Sequence, residues 1–307
     1  MFYKGILLQK TFPALFMLLT VAIGCFGSGS NNSKTISIGS KSFTEQYIVA
    51  NIITLLLEDK GFRVNEKFGA GSMITRMGLL TGQIDLYPEY TGTAWLLYLS
   101  HKDKINNPER LFEYVKDEDL EKNRIMWIHK TEVNNTYALA IRKKDTKKFG
   151  SSLSSLSNYL YDTTVPVIFG VSHEFYERPD GFKEMAKVYG LKIEETNIKT
   201  MEIGLTFESI SREQIDVAMV FSTDGKLKKY NLTLLEDDKR FFPQYNLCLS
   251  INEKVLIKYP EIKGILKPIV THLNNNVMQE LNYQVDVMGK PSKLVADNFL
   301  KDNNLLK

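Results

Sequence analysis

The chain has 307 residues, which is long enough for two lobes of ordinary domain size. It is 43% hydrophobic and 24% charged with a formal net charge of +3, a globular composition that gives no argument for nucleic-acid binding. Its two cysteines, Cys25 and Cys248, exclude a framework of disulfides.

The N-terminus has the pattern of a signal peptide over residues 1–25. Two lysines precede an apolar run over 12–23 that is short for a membrane span. The run ends in Ala22-Ile23-Gly24-Cys25, which resembles a bacterial lipobox, although Leu is usual three places before the cysteine. Lipidation of Cys25 is therefore expected, with plain secretion or an uncleaved anchor as alternatives. Residues 26–33 are rich in Gly, Ser and Asn and are expected to form a flexible tether.

The first elements alternate strand and helix. A strand over 35–39 precedes a helix over 43–59, and a strand over 62–68 precedes a second helix. Ser42 and Glu45 have the spacing of a capping box at the start of the first helix. This β-α-β-α-β pattern predicts an open α/β sheet that binds ligands at the carboxyl ends of its strands.

A candidate ligand-binding corner follows at Ile84-Asp85-Leu86-Tyr87-Pro88-Glu89-Tyr90-Thr91-Gly92-Thr93-Ala94-Trp95. It begins as an apolar strand, breaks at Pro88 and turns into a new helix. Tyrosine faces suit a cation, and backbone N–H groups at a helix start suit an anion. A ligand that carries both charges would fit, whereas the alternative is a corner whose tyrosines only pack.

The pattern changes after a strand over 137–142, where a Lys- and Ser-rich stretch over 143–157 predicts entry into a second lobe. Cys248 lies in an apolar strand pattern and is expected to be a small buried hydrophobe. The tail after residue 253 is expected to form helices that cover the first lobe. The other predicted elements are helices over 108–122, 182–189 and 206–211 and strands over 125–128, 165–170, 216–221, 232–235 and 246–251.

Sequence motifs of common enzymes are missing. The four histidines stand alone, and the chain has neither a Cys/His cluster, a Gly-x-Ser-x-Gly elbow nor a Walker loop. Gly69-Ala70-Gly71 lacks the third glycine of a dinucleotide-binding fingerprint. We therefore expect a protein that is not an enzyme and that holds neither a metal nor a cofactor.

Five short motifs in collinear order resemble the quaternary-ammonium-binding family of substrate-binding proteins from osmoprotectant ABC transporters, whose ligands include glycine betaine, proline betaine and choline. The motifs are Gly39-Ser40-Lys41-Ser42-Phe43-Thr44-Glu45-Gln46, Tyr87-Pro88-Glu89-Tyr90-Thr91-Gly92-Thr93, Asn135-Thr136-Tyr137-Ala138-Leu139-Ala140, Arg178-Pro179-Asp180-Gly181 and Glu236-Asp237-Asp238-Lys239.

The resemblance implies an α/β fold, the two-lobed periplasmic-binding-protein (type II) clamshell with two crossing hinge strands. Lobe 1 would comprise residues 34–136 and 247–307, and lobe 2 residues 137–246. The resemblance also implies permease and ATPase partners. With the N-terminal pattern, it implies an extracytoplasmic protein, periplasmic or at the cell surface, with a lipid anchor to the membrane.

The resemblance further implies the site residues. The position of Asn135 is Asp in some members, and that of Phe221 is often Tyr, so the choice among methylated ammonium ligands stays open. The implied ammonium cage is Tyr90, Tyr137, Phe221 and Tyr245 with Asn135 beside it, and the implied carboxylate partners are Lys41, Thr93 and Arg178.

Such a cage has a physical reason. A trimethylammonium group donates no N–H hydrogen bond, so ring faces recognise it through their negative quadrupole and apolar contact. Cations at the other end favour a betaine over choline, and proline is disfavoured because its ammonium protons would lack acceptors. We therefore expect capture of glycine betaine or a relative for osmoprotectant uptake. The alternatives are a choline- or carnitine-preferring protein, or a sensing or surface lipoprotein without a transport role.

Overall fold

The computed structural model describes residue 1 and residues 34–306. The predicted signal peptide after Met1, its Cys25 and the predicted tether over 26–33 therefore lie outside the described residues. In the part that is described, none of the helices combines the length and the apolar character needed to cross a membrane.

Within residues 34–306, ten strands form two five-stranded sheets. The strands are β1 (Lys34–Lys41), β2 (Phe62–Ala70), β3 (Leu86–Tyr90), β4 (Ile125–Ile128), β5 (Tyr137–Arg142), β6 (Phe169–Val171), β7 (Ile198–Thr200), β8 (Val217–Phe221), β9 (Leu232–Leu234) and β10 (Leu247–Asn252).

The first sheet has the order β2-β1-β3-β10-β4, and the second has the order β7-β6-β8-β5-β9. In the first, β1 is parallel to β2 and β3, while β10 is antiparallel to β3 and β4. In the second, β6 is parallel to β7 and β8, while β5 is antiparallel to β8 and β9. Strand β10 thus returns the chain to the first sheet, as predicted.

The two connections between the sheets run side by side. Asn134 and Asn246 form an antiparallel bridge, and the backbone N–H of Asn135 donates to the carbonyl of Tyr245 at 3.1 Å. The backbone N–H of Tyr245 also donates to Oδ1 of Asn134 at 2.7 Å. These bonds hold together the two chain segments that connect the sheets. One segment contains Asn135 and the other contains Tyr245, which are both predicted site residues.

Helices cover the sheets, and most of the C-terminal helices pack on the helix that follows β1 of the first sheet. They are α1 (Thr44–Asp59), α2 (Ser72–Thr81), α3 (Thr91–Thr93), which continues as a π-helix (Ala94–Tyr98), α4 (Pro108–Asn123), α5 (Thr146–Phe149), α6 (Leu153–Asp162), α7 (His173–Glu177), α8 (Phe182–Tyr189), α9 (Ile203–Ser211), α10 (Lys226–Lys229), α11 (Glu253–Lys258), α12 (Ile262–Ile265), α13 (Pro268–His272), α14 (Asn275–Asp286) and α15 (Ser292–Asp302), with 3-10 turns at Lys143–Asp145 and Glu195–Asn197. Helix α1 packs against β2, α14 and α15.

Three local predictions were wrong. The strand at the candidate corner does not break at Pro88, because β3 runs through it to Tyr90 and Pro88 pairs with Leu249 of β10. The first helix begins at Thr44 with Phe43 as its N-cap, and the cap has no side-chain hydrogen bond, so Ser42 and Glu45 do not form a capping box. Glu45 is instead buried under distant segments of the chain. The strand expected over 165–170 starts only at Phe169, because Pro166 has no N–H to donate and the N–H of Ile168 donates to the side chain of Asp216. Burial of Cys248 in β10 is confirmed.

Candidate ligand-binding site

A cavity of about 40 Å³ lies between the two sheets. Its walls come from the ends of β1, β3, β5 and β8 and from the loops beside them. The cavity brings together seven of the eight residues implied for the ligand, namely Lys41, Tyr90, Thr93, Asn135, Tyr137, Phe221 and Tyr245. The eighth, Arg178, does not line it.

The aromatic rings beside the cavity form one continuous cluster. The Tyr137 ring lies 5.2 Å from that of Phe221 and 5.7 Å from that of Tyr245, centroid to centroid, the second pair at 90°. The Phe43 ring stacks at 5.0 Å on Phe221 and at 6.3 Å on Tyr90. Phe43 thus connects rings from the two sheets. The sequence interpretation missed it, although it lies inside the first of the five motifs.

Strand ends explain how these rings meet. Tyr90 ends β3, and Tyr137 begins β5 directly opposite Phe221 in the β5–β8 ladder. Tyr245 precedes β10 and packs on Gly92, where a Cβ atom would lie 2.7 Å from the tyrosine ring. Glycine is therefore required at this corner because any side chain would displace the Tyr245 ring.

The three tyrosines that the resemblance implies for the cage are buried and neutral. The hydroxyl of Tyr90 donates to Oε1 of Glu45 at 2.7 Å, and that of Tyr245 donates to Oδ2 of Asp180 at 2.6 Å. Burial, and then the adjacent carboxylates, raise the pKa of Tyr90 and of Tyr245 well above the ordinary value. Burial also raises the pKa of Tyr137. The rings therefore present neutral, electron-rich faces at physiological pH.

Both predicted carboxylate-binding cations already have an acidic partner. Lys41 Nζ lies 2.5 Å from Oε1 of Glu89, and the two groups are buried. The guanidinium of Arg178 donates from Nε and Nη2 to Asp180 at 2.8 and 2.5 Å. Its Cζ also lies 5.4 Å from the Tyr137 ring centroid. Arg178 therefore contacts the ring cluster from outside the cavity.

A hydrogen bond crosses the cavity between the two sheets. Ser72, at the start of α2, donates from Oγ to Oε1 of Glu174 at 2.6 Å. Burial alone would raise the pKa of Glu174, but Lys41, Ser72 and Arg178 outweigh it and hold that pKa below its ordinary value. Glu174 is thus an ionised carboxylate at neutral pH, and neither it nor Ser72 was singled out from the sequence.

Glu45 is the second acidic residue that the sequence interpretation missed. Its carboxylate is buried beside the cage, where Tyr90, Asn135 and Thr223 donate to it at 2.7, 2.8 and 2.7 Å. Burial raises its pKa, and these hydrogen bonds act in the opposite direction. In residues 34–306, by contrast, no group of three or more His, Cys, Asp or Glu side chains is placed to hold a metal ion.

The model of one protein family matches residues 34–302, nearly all of the described chain. Its description is the substrate binding domain of ABC-type glycine betaine transport systems. The chain belongs to this family. The membership confirms the resemblance drawn from the five motifs, and it makes the protein one of a group of extracytoplasmic solute-binding transport proteins.

Two known relatives are similar to this family member over nearly all of its length. The chain is 33% identical to a glycine-betaine-binding protein of Pseudomonas aeruginosa, over 94% of each protein. It is 35% identical to an ergothioneine transport permease/ergothioneine binding protein of Helicobacter pylori, over 94% of this chain, and it spans only 51% of that relative's length.

A solved structure gives the same fold. The crystal structure of a glycine betaine/carnitine/choline ABC transporter protein matches with a TM-score of 0.72 and 27% identity, over 89% of this chain and 100% of that one. The predicted type II periplasmic-binding-protein architecture is thereby confirmed.

Proposed function

We propose that this family member captures glycine betaine, or a closely related quaternary ammonium compound, between the rings that line the cavity and delivers it to an ABC permease. The cavity of about 40 Å³ is smaller than such a ligand, so its walls move apart when the ligand enters. The observation that carries the proposal is the continuous cluster of neutral rings from both sheets, four of which come from Tyr90, Tyr137, Phe221 and Tyr245. A methylated ammonium group needs such a surface because it offers no hydrogen to a directed acceptor.

The expected affinity follows from the rings. Each desolvated ring contributes on the order of 1–2 kcal/mol to a bound cation. With Phe43 added to the four cage rings, the gross contribution is roughly 5–10 kcal/mol, and the loss of translational freedom and the ordering of the cleft subtract from it. We therefore expect binding of about micromolar strength once the carboxylate contacts are included.

At the opposite end of the ligand, we propose that Lys41 and Thr93 meet the carboxylate first. Both line the cavity, and Lys41 carries the charge. Arg178 reaches the ligand only if its contacts with Asp180 rearrange, because the guanidinium fork is already filled. A betaine stays preferred over choline because choline would leave Lys41 without a second anionic partner.

The domain and cellular assignments also remain proposals. Lobes over residues 34–136 with 247–307 and over 137–246 are supported by the division of the strands into two sheets. Lipidation of Cys25 and anchoring to the outer side of a membrane rest on the lipobox-like pattern. The ATPase and permease partners rest on the family. A preference for choline or carnitine ranks second to one for glycine betaine, because the family description names glycine betaine.

Calorimetric titration of residues 26–307 tests the proposal. The panel is glycine betaine, proline betaine, carnitine, choline and proline. Ergothioneine is added because it is a trimethylammonium carboxylate and appears in the name of the Helicobacter relative. Micromolar binding of a betaine and none of proline is expected. If none of the quaternary ammonium compounds gives a heat of binding at millimolar concentration, the transport hypothesis is wrong.

Matched tyrosine variants locate the site. The double variant Tyr90→Ala/Tyr245→Ala should lose at least about tenfold in affinity, because two of the rings are removed. Tyr114→Ala/Tyr161→Ala removes two tyrosines that are 40% and 76% exposed and should bind as the wild type does. Equal affinities of the two double variants would mean that the ligand binds elsewhere.

A further inference from the structure

We infer that Glu45 determines the charge specificity of this cavity: its carboxylate acts through Tyr90 and Asn135 to favour a cationic head group over a neutral one. The inference rests on the proposed function, because it concerns the same ligand. It assigns to Glu45 a role in ligand binding in place of the helix-capping role predicted from its spacing to Ser42.

The carboxylate of Glu45 receives donors from four separate segments. Oε1 accepts from the hydroxyl of Tyr90 at 2.7 Å and from Nδ2 of Asn135 at 2.8 Å. Oε2 accepts from Oγ1 of Thr223 at 2.7 Å and from Nδ2 of Asn282 at 3.5 Å. Each carboxylate oxygen accepts from an amide Nδ2, which can only donate, so the arrangement accommodates the ionised carboxylate against the burial that raises its pKa. Glu45 is 2% exposed.

The other acidic groups around the cavity are paired with cations, and Glu45 differs from them. Glu89 has Lys41, while Asp180 and Glu174 share Arg178. None of the contacts recorded for Glu45 within residues 34–306 is to a Lys or Arg. Hydrogen bonds stabilise a buried charge only in part. The carboxylate of Glu45 would therefore still attract a cation that came close to it. A quaternary ammonium in the cage supplies that cation.

Two of the hydrogen-bonded groups transmit this charge to the cavity. Tyr90 lines the cavity with its ring, and its hydroxyl donates to the carboxylate, which makes the ring more electron-rich and strengthens its attraction for a cation. Asn135 also lines the cavity. Its Nδ2 is fixed on Glu45, and its Oδ1 has no hydrogen-bond partner among the described residues. The amide therefore keeps a free negative end.

The experiment compares two ligands of nearly the same shape. Glycine betaine carries a trimethylammonium group, and tert-butylacetate carries a neutral tert-butyl group in its place. Both are titrated into the full chain, wild type and Glu45→Gln. We expect the substitution to weaken glycine betaine about tenfold and tert-butylacetate less than about twofold, because only the first senses the charge. An equal loss for both ligands would overturn the inference, since a merely structural role lowers both.

A relocated charge provides the rescue. In the double variant Glu45→Gln/Asn135→Asp, the carboxylate moves to the neighbouring side chain, and the new glutamine amide can donate to it. The preference for glycine betaine over tert-butylacetate should return to within about threefold of the wild type. A preference that stays lost would count against the inference. Asp286→Asn is the control, because it removes another carboxylate near α1, one that accepts a hydrogen bond from Thr44 and pairs with Lys226.

A further variant keeps the test valid if Glu45→Gln does not fold. Asn135→Asp alone places a second carboxylate against Glu45, and two adjacent carboxylates then share one proton. The net charge hardly changes, so the betaine preference should rise less than about twofold. A tenfold rise would mean that Glu45 was neutral and would overturn the inference. A wild type that binds no quaternary ammonium refutes the proposed function itself, whereas a wild-type preference that survives Glu45→Gln refutes only this inference.

Discussion

Arg178 and Asp180 form a buried bidentate ion pair, with Nε–Oδ1 and Nη2–Oδ2 distances of 2.8 and 2.5 Å. The pair stands directly behind the ring cluster. The guanidinium lies over Tyr137, and the carboxylate of Asp180 accepts from the hydroxyl of Tyr245. Two predicted cage rings are therefore held by one ion pair, which makes its geometry important for both stability and binding.

Arg178→Lys tests this arrangement. Lysine keeps the charge but cannot make two parallel hydrogen bonds, so the buried Asp180 loses one partner. The free energy of unfolding should fall by about 2–4 kcal/mol in urea denaturation at neutral pH. Arg212→Lys is the matched control, because its pair with Glu208 spans 3.7 Å at the surface and should change stability by less than about 0.5 kcal/mol. Similar losses in both variants would contradict the structural role of Arg178.

Phe43→Ala should remove the ring that connects the two sheets. Phe43 stacks on Tyr90 and on Phe221, so its loss opens the cage. Affinity for the preferred quaternary ammonium ligand should fall about tenfold in calorimetric titration. Phe112→Ala replaces another half-buried phenylalanine, on α4, and should lower stability while it keeps affinity. If Phe43→Ala binds as tightly as Phe112→Ala, the ring does not belong to the site.

Ser72→Ala should shorten the lifetime of the complex. The hydrogen bond from Ser72 to Glu174 joins the two sheets across the cavity, and a bond to a charged group is worth about 1.5–3 kcal/mol. We expect the dissociation rate to rise about tenfold with little change in the association rate, measured by stopped-flow ligand displacement. Ser157→Ala, at a hydrogen bond to the Gly190 carbonyl, should leave both rates unchanged. An unaltered dissociation rate in Ser72→Ala would show that this bond does not retain the ligand.

The buried carboxyl of Asp224 should make the free energy of unfolding depend on pH. Burial raises its pKa from 3.8 to about 7, and its surroundings include Glu45, Asp286 and Lys226. Between about pH 4 and pH 7 the folded protein retains a proton that the unfolded chain has lost. The stability contributed by the protonated form is therefore present at the acidic end and lost as the pH rises through 7.

Urea denaturation at a series of pH values checks this effect. Relative to Asp224→Asn, which has no proton to lose, the wild type should lose about 4 kcal/mol between pH 4 and pH 8, since each unit of pKa difference is worth about 1.4 kcal/mol. Asp302→Asn, at an exposed carboxyl near the C-terminus, should follow the wild-type curve. Parallel curves for the wild type and Asp224→Asn would exclude Asp224 as the titrating group.

Local sequence patterns predicted much of the fold. The strands Ile125–Ile128 and Tyr137–Arg142 and the helix Phe182–Tyr189 have the bounds expected from the sequence. Apolar periodicity and a stop residue such as Gly190 act over neighbouring residues, so they can be read without the fold. The five motifs added the family and five residues that line the cavity, and the resemblance they carry added Phe221 and Tyr245, which lie outside the motifs.

The amino-acid sequence by itself determined the alternation of strands and helices, the strand-end position of Tyr90 and the family to which the chain belongs. Only the tertiary structure decided the surroundings of Glu45, Phe43 and Arg178. The donors to Glu45 come from positions 90, 135, 223 and 282, and the ring of Phe43 meets partners from both sheets. Charge pairing and ring stacking act between atoms that are close in space, and spacing along the chain carries no information about such distant contacts.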